Sequence, residues 1–426
     1  LDSLANIYDW GSDRIACGVY QMPGLVMGNN SNAQVQEYKN SWQLMQWYSP
    51  QAIEQDIVPA TMAEAEYLKT IQNDYRLLSK YIVENHDKKQ DLKNIDTEES
   101  ELEDSEDKDE FGLIEVLRAD TKGELAHHPK VVSFCKDQLR RRWLELATKG
   151  ANTLMSAMAQ PAEVERGTII APHLQNGTEV IVTRYPIINK DNIRRYVVDN
   201  EQVPELLNTK GCVFINPADA MDYHQCDFDG DQLVCTPADL LPHITAETRM
   251  ALPQYDEMGN DLNRDFNPVV KKEKQAYAQS DLKHMALAVR LNSIGRIANA
   301  LGRVNCAQPN PEADVKDQQY FLKFKSGLMD TLFDSLQIEV DSPKSATRYT
   351  DYYRDLDKQL ESPTFKLPFF DFKQDERVFN SAPMPVAQNG SVVDILPRYI
   401  NQTWQSCELN QMRVEQFGYL LQKQEN

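Results

Sequence analysis

Three carboxylates at alternate positions, Asp227, Asp229 and Asp231, with Phe228 and Gly230 between them, are the strongest chemical feature of the sequence. In extended backbone, alternate side chains point to one side, and Gly230 lets the chain turn so that the three can converge on one point. Crowded carboxylates repel, and a bound divalent cation removes that cost. An oxygen-only donor set suits Mg²⁺ or Mn²⁺, which keep positions open for water and phosphate oxygens. The triplet therefore points to phosphate chemistry.

A calcium loop would need Gly at its sixth position and Glu at its twelfth, where this chain has Gln232 and Ala238. An acidic turn between strands is the plainer alternative. Its flanks, Val213-Phe214-Ile215 and Leu233-Val234-Cys235, read as buried strands, and burial of three unpaired carboxylates has no cheap explanation. His224 stands beside the triplet, where a lone flanking histidine reads as structural.

The elements that must position the loop are short β-branched runs, Thr168-Ile169-Ile170, Glu179-Val180-Ile181-Val182-Thr183 and Cys212-Val213-Phe214-Ile215, split by Asn176-Gly177, Pro186 and Gly211. They predict a compact β domain over 161–245. Residues 1–83 read as strands and turns, then helices. Residues 111–160 read as a helical connector bearing Lys136, Arg140, Arg141, Arg142 and Lys149, either a phosphate-facing helix or a solvated face. Residues 246–335 hold a loop and long amphipathic helices, one of them over 276–304 with Lys283, Arg290, Arg296 and Arg303. The stretch 336–426 is Pro-rich, with a helix from about Asn401 to Leu421. The whole is an α+β chain.

Net charge is −20, against a nucleic-acid partner at face value. Between Glu84 and Glu110 stand 13 Asp or Glu and four Lys, with few residues able to form a core, so 84–110 reads as a disordered insertion. Seven scattered cysteines without a CxxC pair argue against a disulfide framework and a zinc site, and favour a reducing, intracellular location. No apolar run approaches the ~18 residues of a membrane span. A first residue Leu1, without the features of a signal peptide, suggests a piece of a longer polypeptide.

The run Tyr223-His224-Gln225-Cys226-Asp227-Phe228-Asp229-Gly230-Asp231-Gln232 resembles the catalytic loop of the two-barrel RNA polymerases, in which a double-psi β-barrel presents Asp-x-Asp-Gly-Asp to Mg²⁺. Upstream, Val182-Thr183-Arg184-Tyr185-Pro186 resembles the family's Arg-x-Pro element, which implies that Arg184 approaches the sugar of the incoming nucleotide. Downstream, Asn292-Ser293-Ile294-Gly295-Arg296-Ile297-Ala298-Asn299-Ala300 and Val340-Asp341-Ser342-Pro343-Lys344-Ser345 resemble segments of the single-chain RNA-silencing polymerases. Gln225 stands where the cellular enzymes commonly carry Asn, which implies a ribose contact at longer reach.

The resemblance covers about residues 160–350. It implies a template-dependent RNA polymerase, RNA-directed, with Mg²⁺ or Mn²⁺ on Asp227, Asp229 and Asp231, nucleoside triphosphates as substrates and an RNA or DNA template as partner. Arg290, Arg296, Arg303 and Lys344 are candidates to track the nucleic-acid backbone, with a solvated face the competing reading of each. The family also needs a second barrel whose Lys residues hold the nucleotide phosphates; residues 1–160 show no convincing copy, so it lies upstream, belongs to another chain, or has diverged beyond recognition. The location implied is intracellular, cytoplasmic, or nuclear in a eukaryote, with no membrane partner. The competing readings are a DNA-directed RNA polymerase of phage or multi-subunit type and an inert barrel acting as an assembly scaffold.

Overall fold

The computed structural model describes residues 35–92, 112–209, 211–228, 230–259, 261–265, 293–340, 353–360, 365–388 and 390–412. These form two compact units. One comprises Ser31–Arg184, Arg194–Ala251 and Asp371–Asn426; the other includes Tyr185–Ile193 and Leu252–Phe370. Asp229, Lys283, Arg290 and Lys344 lie outside the described residues.

The first unit is built on seven strands: β1 (Gln36–Lys39), β2 (Thr153–Pro161), β3 (Thr168–Ile170), β4 (Glu179–Thr183), β5 (Ile193–Val198), β6 (Cys212–Ile215) and β7 (Gln232–Pro237). Their order is β1-β2-β6-β3-β5-β4-β7, and β7 pairs back onto β2, so the last six close into a barrel with β1 added outside. Two pairs, β2–β6 and β3–β5, are parallel, while β2–β7, β3–β6 and β4–β7 are antiparallel. This is the α+β, double-psi barrel architecture expected. Closure leaves these six strands without a free edge, and their alternate residues fill the interior.

The barrel core takes Ala157 and Ala159 from β2, Val180 and Val182 from β4, Tyr196 and Val198 from β5, Val213 and Ile215 from β6, and Leu233 and Cys235 from β7. Each fully buried Val, Ile or Leu contributes roughly 1.5–3 kcal/mol relative to exposure. The other face of β6, Cys212 and Phe214, packs with Val164 and Ile170 in a second cluster. With both faces covered, β6 has no polar alternation, which is why it reads as a continuous apolar run.

The barrel begins at Thr153, earlier than the expected 161, because β2 occupies a stretch read as helical. Its sequence TLMSAMAQP is rich in residues with good helix propensity. Tertiary packing overrides that preference: Ala157 and Ala159 are buried in the same barrel core as Tyr196 and Tyr223.

Around the barrel lie α1 (Trp42–Met45), α2 (Pro50–Asp56), α3 (Val58–Ile71), α4 (Tyr75–Leu92), α5 (Leu113–Ala119) and α6 (Pro129–Thr148). The acidic insertion expected from Glu84 is helical as far as Leu92; residues 93–111 lie outside the description. Lys80 pairs with Glu84 at 3.7 Å, and Asp87 pairs with Arg118 of α5 at 2.6 Å, so charge pairing extends the helix where apolar content runs out.

On α6, Val131, Cys135, Leu139, Trp143 and Leu146 form the buried face. Arg142 turns toward α3 and pairs with Glu64 at 2.6 Å and with Glu145, while Arg140 and Arg141 share Asp137 at 3.3 and 3.1 Å. The three consecutive arginines thus do not form one phosphate-facing surface, because successive helical positions point about 100° apart.

The last helix among the described residues is α13 (Ile395–Thr403), so the expected helix 401–421 does not run on past Thr403, and residues 413–421 lie outside the described residues. Pro397 sits in its first turn, where a missing N–H costs nothing, and residues 404–412 are irregular. Between β6 and α13 the chain adds α7 (Pro217–His224), α8 (Pro242–Ala246), α9 (Ile294–Cys306), α10 (Val315–Val340), α11 (Leu356–Leu360) and α12 (Pro368–Phe372).

In the second unit, α9 and α10 pack as an antiparallel pair through Ile297, Leu301 and Val304 on one side and Leu332 and Leu336 on the other. The expected helix over 276–304 is described only from Ile294, and it continues to Cys306. The expected boundary at 336 falls inside α10. Charge fixes both ends of α9: buried Glu339 accepts from Ser293 N–H at 3.0 Å, and Lys325 donates to the carbonyls of Asn305 and Ala307 at 2.6 and 3.0 Å. Among the described residues no helix is long and apolar enough to cross a membrane.

Candidate active site

The acidic loop joins α7 to β7. Asn216 caps α7 by accepting from Ala218 N–H at 2.9 Å, with Pro217 at the first helical position. The helix ends with Gln225 in the left-handed region (φ 46°), and the N–H groups of Gln225 and Cys226 both bond the Ala220 carbonyl, the second at 3.0 Å. Phe228 (φ 62°) and Gly230 (φ 126°) also have positive φ. Only glycine readily takes the last of these values, which gives Gly230 its necessity.

Both ends of the loop are anchored in the barrel. Cys226 is fully buried in the core, and Phe228 packs against it. Asp231 is buried, and its carbonyl accepts from Ala159 N–H of β2 at 2.8 Å. Asp231 Oδ2 accepts from Asp227 N–H at 3.0 Å, which draws the two ends of the acidic run together. Asp227 itself is exposed.

Arg184 follows β4 directly, and the β4–β7 register sets Thr183 opposite Val234, so Arg184 lies beside the start of β7. Its Nε donates to Asp231 Oδ1 at 2.7 Å, with Nη2 2.5 Å from the same oxygen, and its Nη1 donates to Gln225 carbonyl at 3.4 Å. One guanidinium therefore spans the loop from the C-terminus of α7 to Asp231. The Asp231 side chain is 5% exposed and that of Arg184 18%, so the pair is shielded from solvent screening.

The donor chemistry fits a hard divalent cation. Asp227 offers an exposed carboxylate, while Asp231 is already held by the Arg184 fork on Oδ1 and by Asp227 N–H on Oδ2. Asp229 lies between them in sequence and outside the described residues. Among the described residues no cluster of three His, Cys, Asp or Glu is assembled.

His224 is buried, with Nε2 3.0 Å from Tyr196 OH, which places it in the barrel core as the structural reading held. Gln225 contributes its carbonyl to Arg184. Arg296 and Arg303 lie on α9 of the other unit, Arg303 over the Phe370 ring at 5.9 Å.

Sequence reasoning missed the group that holds α7. Arg166 Nε donates to Asp219 Oδ1 at 2.5 Å and Nη2 to Asp222 Oδ2 at 2.7 Å, while Gly167 N–H donates to Asp219 Oδ2 at 2.8 Å. Arg194, fully buried, lies over the Tyr223 ring at 4.5 Å. The available signal was Asp219 and Asp222 three apart on the helix that leads into the triplet.

Burial pushes the thiols of Cys226 and Cys235 up to about 12, so neither is a thiolate nucleophile at neutral pH. Iodoacetamide applied to the native chain at pH 8 is expected to leave both buried thiols unmodified, with modification appearing on unfolding, read by peptide mass spectrometry.

No family model matches the chain, and no curated protein matches it. Among solved structures it is similar to the RNA dependent RNA polymerase QDE-1 from Thielavia terrestris, at 14% identity and TM-score 0.45. The match covers 93% of this chain and 47% of that one. This chain spans about half the length of that polymerase.

Proposed function

We propose that the barrel carries the divalent-metal half of a nucleotidyl-transfer site in a template-dependent RNA polymerase. The observation that supports this most is the pinning of the Asp227–Asp231 loop by Arg184 and Ala159 while Asp227 stays exposed. An assembly scaffold has no use for a charged loop held in this way.

Asp227, Asp229 and Asp231 would hold Mg²⁺ or Mn²⁺, which when bound activates a 3′ hydroxyl and neutralises phosphate charge. The chain's own contribution is positioning. Arg184 fixes the carboxylate of Asp231 and the end of α7, and the buried Cys226 with the half-buried Phe228 ties the loop to the barrel core. Arg184 also has the place in the chain from which the Arg-x-Pro resemblance implies contact with the nucleotide sugar. The Lys residues that take the nucleotide phosphates belong, on this reading, to a second barrel upstream or on another chain. That barrel would also supply the positive charge absent from a chain of net charge −20.

The resemblance of 292–300 and 340–345 to silencing-type polymerases favours an RNA template. Primer extension with Mg²⁺ on matched RNA and DNA templates, using the full-length protein or its complex, is expected to proceed on RNA and to be lost in Asp229→Ala. Extension on DNA alone would replace the template assignment. Extension on neither would remove the polymerase reading.

A further inference from the structure

The first unit contains a cleft, remote in sequence from the acidic loop, whose lining is unusual for so acidic a chain. Lys136, Arg140 and Trp143 come from α6, Phe379 and Asn380 from the turn after Val378, and Trp404 and Gln405 from the segment after α13. No Asp or Glu lines it. Lys136 has no ion pair among the described residues, while Arg140 pairs with Asp137 at 3.3 Å and also feels the charge of Asp375, so Lys136 is the cation the cleft offers first.

Two further observations mark the cleft as a built site. Trp143 is 1% exposed, and its indole N–H has no hydrogen-bond partner among the described residues. A buried donor left unmatched is costly and rare. Phe379 is held in the left-handed region (φ 59°) by its N–H bond to Ala382 carbonyl at 2.8 Å. A non-glycine residue keeps that backbone only where its surroundings impose it, and such residues cluster at functional sites. Here it sets the Phe379 ring 5.9 Å from that of Trp404.

We propose that this cleft binds a nucleotide unit of single-stranded nucleic acid, with phosphate on Lys136 and Arg140, the base against Trp404, and the amides of Asn380 and Gln405 at the base edge. Cations alone would serve any polyanion. Aromatic rings interleaved with cations and amides match the chemistry of an unstacked nucleotide. The proposal does not depend on the nucleotidyl-transfer reading of the barrel.

The test is fluorescence polarisation of a short labelled oligouridylate with the full chain, together with photocross-linking of its 4-thiouridine form. Lys136→Gln and Trp404→Ala are each expected to weaken binding about tenfold, the order that one stacking or phosphate contact supplies. Lys136→Gln should leave the unfolding midpoint unchanged, and cross-links should fall on peptides containing Phe379 or Trp404. Unchanged affinity in Lys136→Gln and Trp404→Ala overturns the proposal. So do cross-links confined to the barrel loop, or displacement by polyglutamate as effective as by unlabelled oligonucleotide.

Discussion

Replacing Asp231 by Ala is expected to lower stability by about 3–4 kcal/mol and to abolish nucleotidyl transfer, whereas Asp227→Ala should abolish transfer at almost no cost in stability. The difference follows from burial. Loss of the Asp231 carboxylate leaves the Arg184 guanidinium, 18% exposed, without its ion-pair partner, and breaking a buried pair from one side costs about 3–5 kcal/mol. Asp227 N–H also loses its acceptor. Asp227 is exposed, and surface substitutions stay within about 0.5 kcal/mol. Urea unfolding beside primer extension separates the two effects. Equal destabilisation by both substitutions would show that the loop is not held as described.

The second large effect concerns Arg184. Arg184→Leu strands a buried carboxylate and frees the end of α7, so a loss of about 3 kcal/mol is expected, together with a fall in transfer of about 10²–10³-fold. Arg184→Lys keeps the charge but cannot reach Asp231 and the Gln225 carbonyl with one planar fork, so it should recover less than half of either loss. A double-mutant cycle with Asp231→Leu isolates the pair. The double variant should be more stable than the sum of the single losses implies, with coupling of about 1–3 kcal/mol, and should remain inactive. Additive losses would mean that the two side chains act independently.

The acidic run was legible as a turn ahead of a buried strand, and within that turn Gly230, at φ 126°, takes a backbone that favours glycine. Strands β3, β4 and β6 were legible because β-branched runs bounded by turn residues have one common reading. Strand β2 was not, since Met155 to Ala159 carry helix propensity and only the barrel core, shared with Tyr196 and Tyr223, selects the extended form. The Arg184–Asp231 pair rests on the register of β4 against β7. Arg166 and Asp219 stand 53 residues apart with no local pattern to join them. The arginines of α6 show the same limit: the sequence displays their charge, while Glu64 and Asp137, placed by folding, decide which of it faces outward.

Binding of Mn²⁺ to the chain, followed by electron paramagnetic resonance, tests most directly whether the loop is a divalent-cation site. The wild-type chain should bind an ion that Mg²⁺ displaces, and a chain with Asp227→Asn, Asp229→Asn and Asp231→Asn together should lose that signal while remaining folded. Equal Mn²⁺ binding by the two chains would contradict the assignment of the loop as the metal-holding half of the site.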